Sequence, residues 1–272
     1  MKNLFSLLLC FCLLFGAAGK ANAALMAYTI DNVDEQLLLI DLTTGITTVI
    51  GATGFSDIEG LAFQASTGIL FGLDDNSNQL ITLNLNTGAG TVVGSLGFNL
   101  SDAGLAFDAS GNLYASGDLS DSGLFSVDFL TGAATLIGDA GDSPTGIAFF
   151  NGELFSASDD CDNNDCLMSV NTTNGNTTEI GDFGINYDEG GLDFDSLGNL
   201  WLVEKSEDTI FQINTATGIA TAGANIDCRP TCRLEGLAII NTTSTVSVPE
   251  PTSLAIFSLA LLGFGVSKRK KR

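Results

Sequence analysis

The chain has 272 residues, with 32 acidic against 10 basic side chains, no histidine and a net charge of −22. So acidic a surface repels phosphate backbones and anionic lipid, which excludes nucleic acid as a partner. The missing imidazole removes the commonest general base and the commonest metal ligand.

The N-terminus has the three parts of a secretory signal. Met1-Lys2-Asn3 is a short positive lead, Leu4 to Ala18 is an apolar run, and Ala21-Asn22-Ala23 places small residues where a signal peptidase reads them. Residues 1–23 are therefore expected to be a signal peptide cut between Ala23 and Ala24. The run is too short for a membrane anchor. Export leaves a mature chain in which Lys205, Arg229 and Arg233 are the only basic residues before the C-terminal tail.

From about residue 24 to residue 243 the chain repeats itself. Gly60-Leu61-Ala62-Phe63 returns as Gly104-Leu105-Ala106-Phe107, Gly146-Ile147-Ala148-Phe149, Gly191-Leu192-Asp193-Phe194 and Gly236-Leu237-Ala238-Ile239, at spacings of 44, 42, 45 and 45. An aromatic follows or precedes each copy in step: Tyr28, Phe71, Tyr114, Phe155 and Trp201. An apolar run then closes in Asp41, Asn84, Asp128, Asn171 or Asn214, and a glycine comes four residues later: Gly45, Gly88, Gly132, Gly175 or Gly218. Each unit reads as four short strands, a to d, joined by Gly, Asn, Asp and Thr turns. Four strands per repeat, five times over, predict an all-β fold: a five-bladed β-propeller with four-stranded blades. The first unit begins at strand b and the last ends after strand a. The C-terminal strand is thus expected to complete the first blade and close the ring. The units resemble secreted propellers of the NHL or kelch type, without a diagnostic motif from which functional residues could be carried over.

Antiparallel strands alternate in direction, so the b–c loops and the d–a connections share one end of the ring. Of the 32 acids, ten lie in the d–a connections and fourteen in the b–c loops, against five in the opposite turns, two in strands and Glu250 in the tail. The four mature cysteines also fall at this end. Cys161, Cys166, Cys228 and Cys232 in an exported chain suggest disulfides, of which the close pairs 161–166 and 228–232 are the simplest of three connectivities. Zinc suits them less, for want of histidine and of C-x2-C spacing.

Two loops offer hard oxygen ligands suited to calcium: Asp74, Asn76 and Asn78, and Asp160, Asp162 and Asn164. Both read D-x-[DN]-x-N but lack the glycine and distal glutamate of an EF-hand. The same residue types also form turns by bonding their own backbone, so calcium is one of two readings for each loop.

The chain ends in Val248-Pro249-Glu250-Pro251, then fifteen residues from Thr252 to Val266 with no charge, then five consecutive basic residues, 268–272. As a helix the fifteen span roughly 22 Å, short of the roughly 30 Å hydrocarbon core. The basic terminus would hold that end on the cytoplasmic side, so the tail suits a transient stay in the inner membrane. Residues 244–248 read as a linker and 249–272 as a separate tail. In order and position this tail resembles the PEP-CTERM sorting signal of Gram-negative bacteria. The resemblance implies recognition of Pro249, Glu250 and Pro251 by an exosortase, removal of the tail, and delivery to the cell surface or extracellular matrix, often alongside exopolysaccharide.

Enzymatic chemistry finds little support. No nucleophile elbow or phosphate-cradling loop appears. The expectation is a non-enzymatic surface or matrix protein whose acidic face binds a polysaccharide or another surface protein, with calcium as the candidate bridging ion. A two-carboxylate glycoside hydrolase is the alternative, with Asp57, Asp102, Asp188 and Glu235 as candidate carboxyls near the axis. A spacer without a ligand is the third reading.

Overall fold

A computed structural model describes residues 24–118, 123–139, 144–161, 164–227 and 232–240. The signal peptide, the sorting tail, Cys228 and Asp162 lie outside the described residues. Among those described there are twenty strands and no helix. The first blade holds β1 (Met26–Asp31), β2 (Gln36–Asp41) and β3 (Thr47–Ala52), and the second β4 (Ile58–Gln64), β5 (Ile69–Asp74), β6 (Gln79–Leu83) and β7 (Gly90–Ser95). The third holds β8 (Ser101–Phe107), β9 (Leu113–Asp118), β10 (Gly123–Val127) and β11 (Ala134–Gly138). β12 (Ile147–Phe150), β13 (Glu153–Cys161), β14 (Asn164–Val170) and β15 (Thr177–Asp182) make the fourth. β16 (Gly190–Phe194), β17 (Leu200–Glu204), β18 (Thr209–Ile213) and β19 (Ala220–Asn225) make the fifth.

The last strand, β20 (Leu234–Ile239), pairs antiparallel with β1 and gives the first sheet the order β20-β1-β2-β3. The inner strands β4, β8, β12, β16 and β20 touch in sequence, and β20 touches β4. The ring is a closed five-bladed propeller, as the repeat implies.

Burial follows the radial position of each strand. Inner and middle strands face neighbouring blades on both sides, so they are apolar on both faces: Leu70, Phe71 and Leu73 in β5 are all buried. The outer strands β3, β7, β15 and β19 sit at the rim and expose their central Thr-, Val- or Glu-bearing positions. Backbone bonds stitch neighbouring blades there, for example Gly90 N to Thr53 O at 2.8 Å and Ala134 N to Leu96 O at 2.9 Å.

The two turn markers of the repeat form one device between strands c and d. The Asp or Asn side chain accepts the amide two residues on, at 2.9 Å from Thr43 to Asp41 and 2.8 Å from Thr173 to Asn171. Its carbonyl accepts the amide of the glycine four residues on, at 2.7–2.8 Å in all five blades.

The fourth blade departs from the sequence expectation. Its b–c loop is short because β13 and β14 run out together as a long hairpin, placing Asp159, Asp160 and Asp165 on strands. Cys161 and Cys166 are disulfide-bonded across this hairpin, and both are buried with Met168. In the chain-entropy model a loop this short contributes about 2 kcal/mol. Changing both residues to serine is expected to lower stability by that amount in urea unfolding.

Candidate functional site

The two residues before each copy of the Gly-Leu-Ala-Phe marker open the inner strands at one end of the axial channel. β4, β8, β20 and the start of β16 thereby gather Glu59, Asp102, Glu235 and Glu189 around a single mouth. One oxygen from each of Glu59, Asp102 and Glu189 lies within 4.8 Å of the others, and the same holds for Asp57, Glu59 and Glu235.

Two of the few basic residues converge here as counter-ions. Lys205 Nζ lies 2.7 Å from Glu189 and 2.9 Å from Asp188. Arg233 donates to Glu235 Oε1 at 2.8 Å and stands 3.8 Å from Glu189 Oε2. Asn32 donates to the other Glu235 oxygen, and Ala103 N donates to Glu59 Oε2 at 2.6 Å. The cations sit on the fifth and first blades, so Asp57, Glu59 and Asp75 face each other without one in hydrogen-bonding contact among the described residues.

Proton affinities diverge accordingly. Burial, then the charge of Asp75, pushes Glu59 up to about 10. Burial, then a hydrogen bond and charge repulsion from Glu189, pushes Asp102 up to about 8. Asp75 and Glu235 rise to about 7, burial again leading. Burial opposes the Glu189 charge too, but Asp102 and Lys205 bond to it and hold it below the ordinary carboxylate range. At neutral pH the mouth therefore stores protons that an incoming cation would displace. The space between Glu59, Asp102, Thr145, Glu189 and Glu235 is about 10 Å³, roughly the room of one water-sized sphere. That is far below the roughly 300–1,000 Å³ of organic-ligand pockets, so it suits a single small ion and not a sugar ring.

Residues 247–270 match the model described as the PEP-CTERM protein-sorting motif. The chain carries a PEP-CTERM sorting signal. A PEP-CTERM signal implies an exported protein, processed by an exosortase and sorted to the cell surface. No curated protein matches the sequence. Among solved structures, a chain of the "Crystal structure of Nidogen/Laminin Complex" superposes with a TM-score of 0.52 at 16% identity, covering 80% of this chain and 86% of that one. At that identity the likeness shows the propeller fold alone.

In this PEP-CTERM protein the first calcium-loop candidate flanks the mouth, since Asp74 accepts a bond from the amide of Asp57 and directly precedes Asp75. Asp74 is buried, and its carboxylate accepts Ser77 N at 3.0 Å, Ser77 Oγ and Asp57 N at 3.3 Å. Asn78 Oδ1 accepts Leu100 N at 2.7 Å, and Asn76 donates to Ser56 Oγ at 2.8 Å. These side chains tie their loop to the connections on either side of it. Asp160 is the penultimate residue of β13, its amide bonded to Ser158 Oγ at 3.1 Å, and Asn164 begins β14 opposite Cys161. Cys232 is disulfide-bonded. Of the candidate hydrolase carboxyls, Asp57, Asp102 and Glu235 reach the mouth, while Asp188 is half-exposed on Lys205. Sequence reasoning does not single out Glu59, Asp75 or Glu189. Their signal is position, just before the inner strands or beside them in the b–c loop.

Proposed function

We propose that the mature protein is a non-catalytic binding module at the cell surface or in the extracellular matrix of a Gram-negative bacterium. In this reading the signal peptide ends at Ala23, the propeller spans 24–243, and the linker 244–248 leads to a tail, 249–272, that holds the chain briefly in the inner membrane. The acidic end then binds a polysaccharide or a surface protein through calcium. The observation that supports this is the mouth itself: six carboxyls meet two basic side chains in a space of ionic size. Calcium takes six to eight oxygens, which carboxylates at the mouth and oxygens of the bound polymer would supply together. The loop acids around it add long-range attraction for cation-loaded polymer.

Co-sedimentation of the protein with extracellular polysaccharide, in millimolar calcium, tests the reading. Retention is expected, with loss on adding chelator and in the double variant Glu59→Gln/Asp102→Asn. Retention unaffected by chelator would sink the calcium bridge, and no retention would sink polysaccharide as the ligand.

A further inference from the structure

The opposite end of the channel is chemically unlike the mouth. The inner strands finish there in Phe63, Phe107, Phe149, Phe150 and Phe194, which line an open funnel of about 250 Å³. Four of the five remain partly accessible. Four wall rings pack on a ring behind them: Phe63 on Tyr28 at 6.4 Å between centroids, Phe107 on Phe71 at 5.6 Å, Phe149 on Tyr114 at 5.1 Å, and Phe194 on Phe155 at 5.4 Å; Phe150 stacks on Phe194 at 5.0 Å.

One acid breaks this apolar lining. Asp193 stands where the other four blades carry Ala62, Ala106, Ala148 and Ala238, so the blade repeat does not require it. Its Oδ1 accepts Phe194 N at 2.8 Å, and its Oδ2 accepts Ile239 N of the neighbouring inner strand at 2.6 Å. Asp195, the other acid of the lining, is committed to Asn199, Leu197 and the Trp201 indole. Among the described residues, no lysine or arginine lines the funnel. The Asp193 carboxyl is thus held by two amides and lacks a positive partner in this pocket, and burial raises its pKa to about 7.

We infer that this funnel binds a small organic ammonium ion, whose charge meets Asp193 and whose apolar body lies against the phenylalanine rings. Charge complementarity selects the class. An anion would be repelled, and a neutral apolar molecule would cover the carboxylate without neutralising it. An alkylated ammonium is weakly hydrated and gains from aromatic faces as well as from the carboxylate. This site goes beyond the calcium-bridged role of the mouth and does not depend on it.

Isothermal titration calorimetry of the full chain in a non-ionic detergent tests it, with benzyltrimethylammonium as probe and benzyl alcohol as its neutral counterpart. The ammonium is expected to bind at least about tenfold more tightly than the alcohol, a gap that Asp193→Asn should close. Asp193→Ala should act alike, and alanine is already accepted at this position in the other blades. Equal ammonium binding by wild type and both variants overturns the inference, as does the absence of any heat. Loss of ammonium binding in Glu59→Gln/Asp102→Asn, with Asp193→Asn unchanged, would place the cation at the mouth and also overturn it.

Discussion

In chelator at pH 8 the propeller is expected to melt about 6–12 °C below its melting temperature at pH 5. Most proteins gain stability over that range as their carboxylates ionise; here the mouth reverses the sign. Asp102, Asp75 and Glu235 have folded pKa values raised to about 8, 7 and 7, and Glu59 to about 10, against ordinary values of 3.8 for Asp and 4.5 for Glu. Between the ordinary and the raised value the folded state holds a proton that the unfolded state has released. Stability therefore falls as pH climbs through that window. Glu59 is well buried, whereas the others are partly accessible and screened, so their summed effect is about 3 kcal/mol and not the full linkage sum. Asp41, Asp195 and Glu189 have lowered values and act on the acid side, where stability is lost as pH drops through them. The optimum should thus lie near pH 4–5. Thermal melts of wild type and Glu59→Gln check the cause. The glutamine keeps an acceptor for Ala103 N, removes the proton uptake that folding demands at pH 8, and should raise the pH 8 melting temperature while shrinking the difference. A wild-type protein equally stable at both pH values would mean that these carboxyls do not crowd as described.

Gly88→Val should be the most damaging single change at the rim, costing about 3–5 kcal/mol. Gly88 has φ +79°, a conformation costly for any side chain with a β-carbon and worse for a branched one. A Cβ there would also stand 2.2 Å from the Gly51 carbonyl oxygen of the preceding blade, which is backbone and cannot step aside. The loss is a large part of an ordinary domain's roughly 5–15 kcal/mol. Gly68→Ala separates the two causes. Gly68 has φ +74°, but a methyl group placed on its Cα would meet nothing within 4 Å. It should therefore show the conformational cost alone, about 1–2 kcal/mol. Similar losses at both sites, measured by urea unfolding, would deny the close approach of neighbouring blades.

What could be read from the sequence was whatever local chemistry enforces. The Asp or Asn followed by glycine four residues later is a self-contained turn, so its fivefold return exposed the blades, and the missing first and surplus last strands exposed the closure. The channel mouth was harder. It is built from Glu59, Asp102, Glu189 and Glu235, residues dozens of positions apart that meet only when inner strands converge. Local spacing drew attention instead to Asp74, Asn76 and Asn78, which bond to Ser77 and to the neighbouring connections at Ser56, Asp57 and Leu100. Asp193 was visible as an acid inside a strand, but nothing near it in sequence indicates the phenylalanines around it. Lys205 and Arg233 were legible as rare cations and not as partners of the mouth.

The pairing of β20 with β1 joins residues such as Ala27 and Ile239, at opposite ends of the propeller sequence. Contacts of such long sequence separation carry a high loop-closure cost and form late. Until β20 has been synthesised, the first blade has three strands, and the β1 edge stays open to the wrong neighbour. The sorting signal follows β20 in the chain. Every molecule that bears the signal has therefore already been given all the strands it needs to fold, and prematurely terminated chains lack both the last strand and the address.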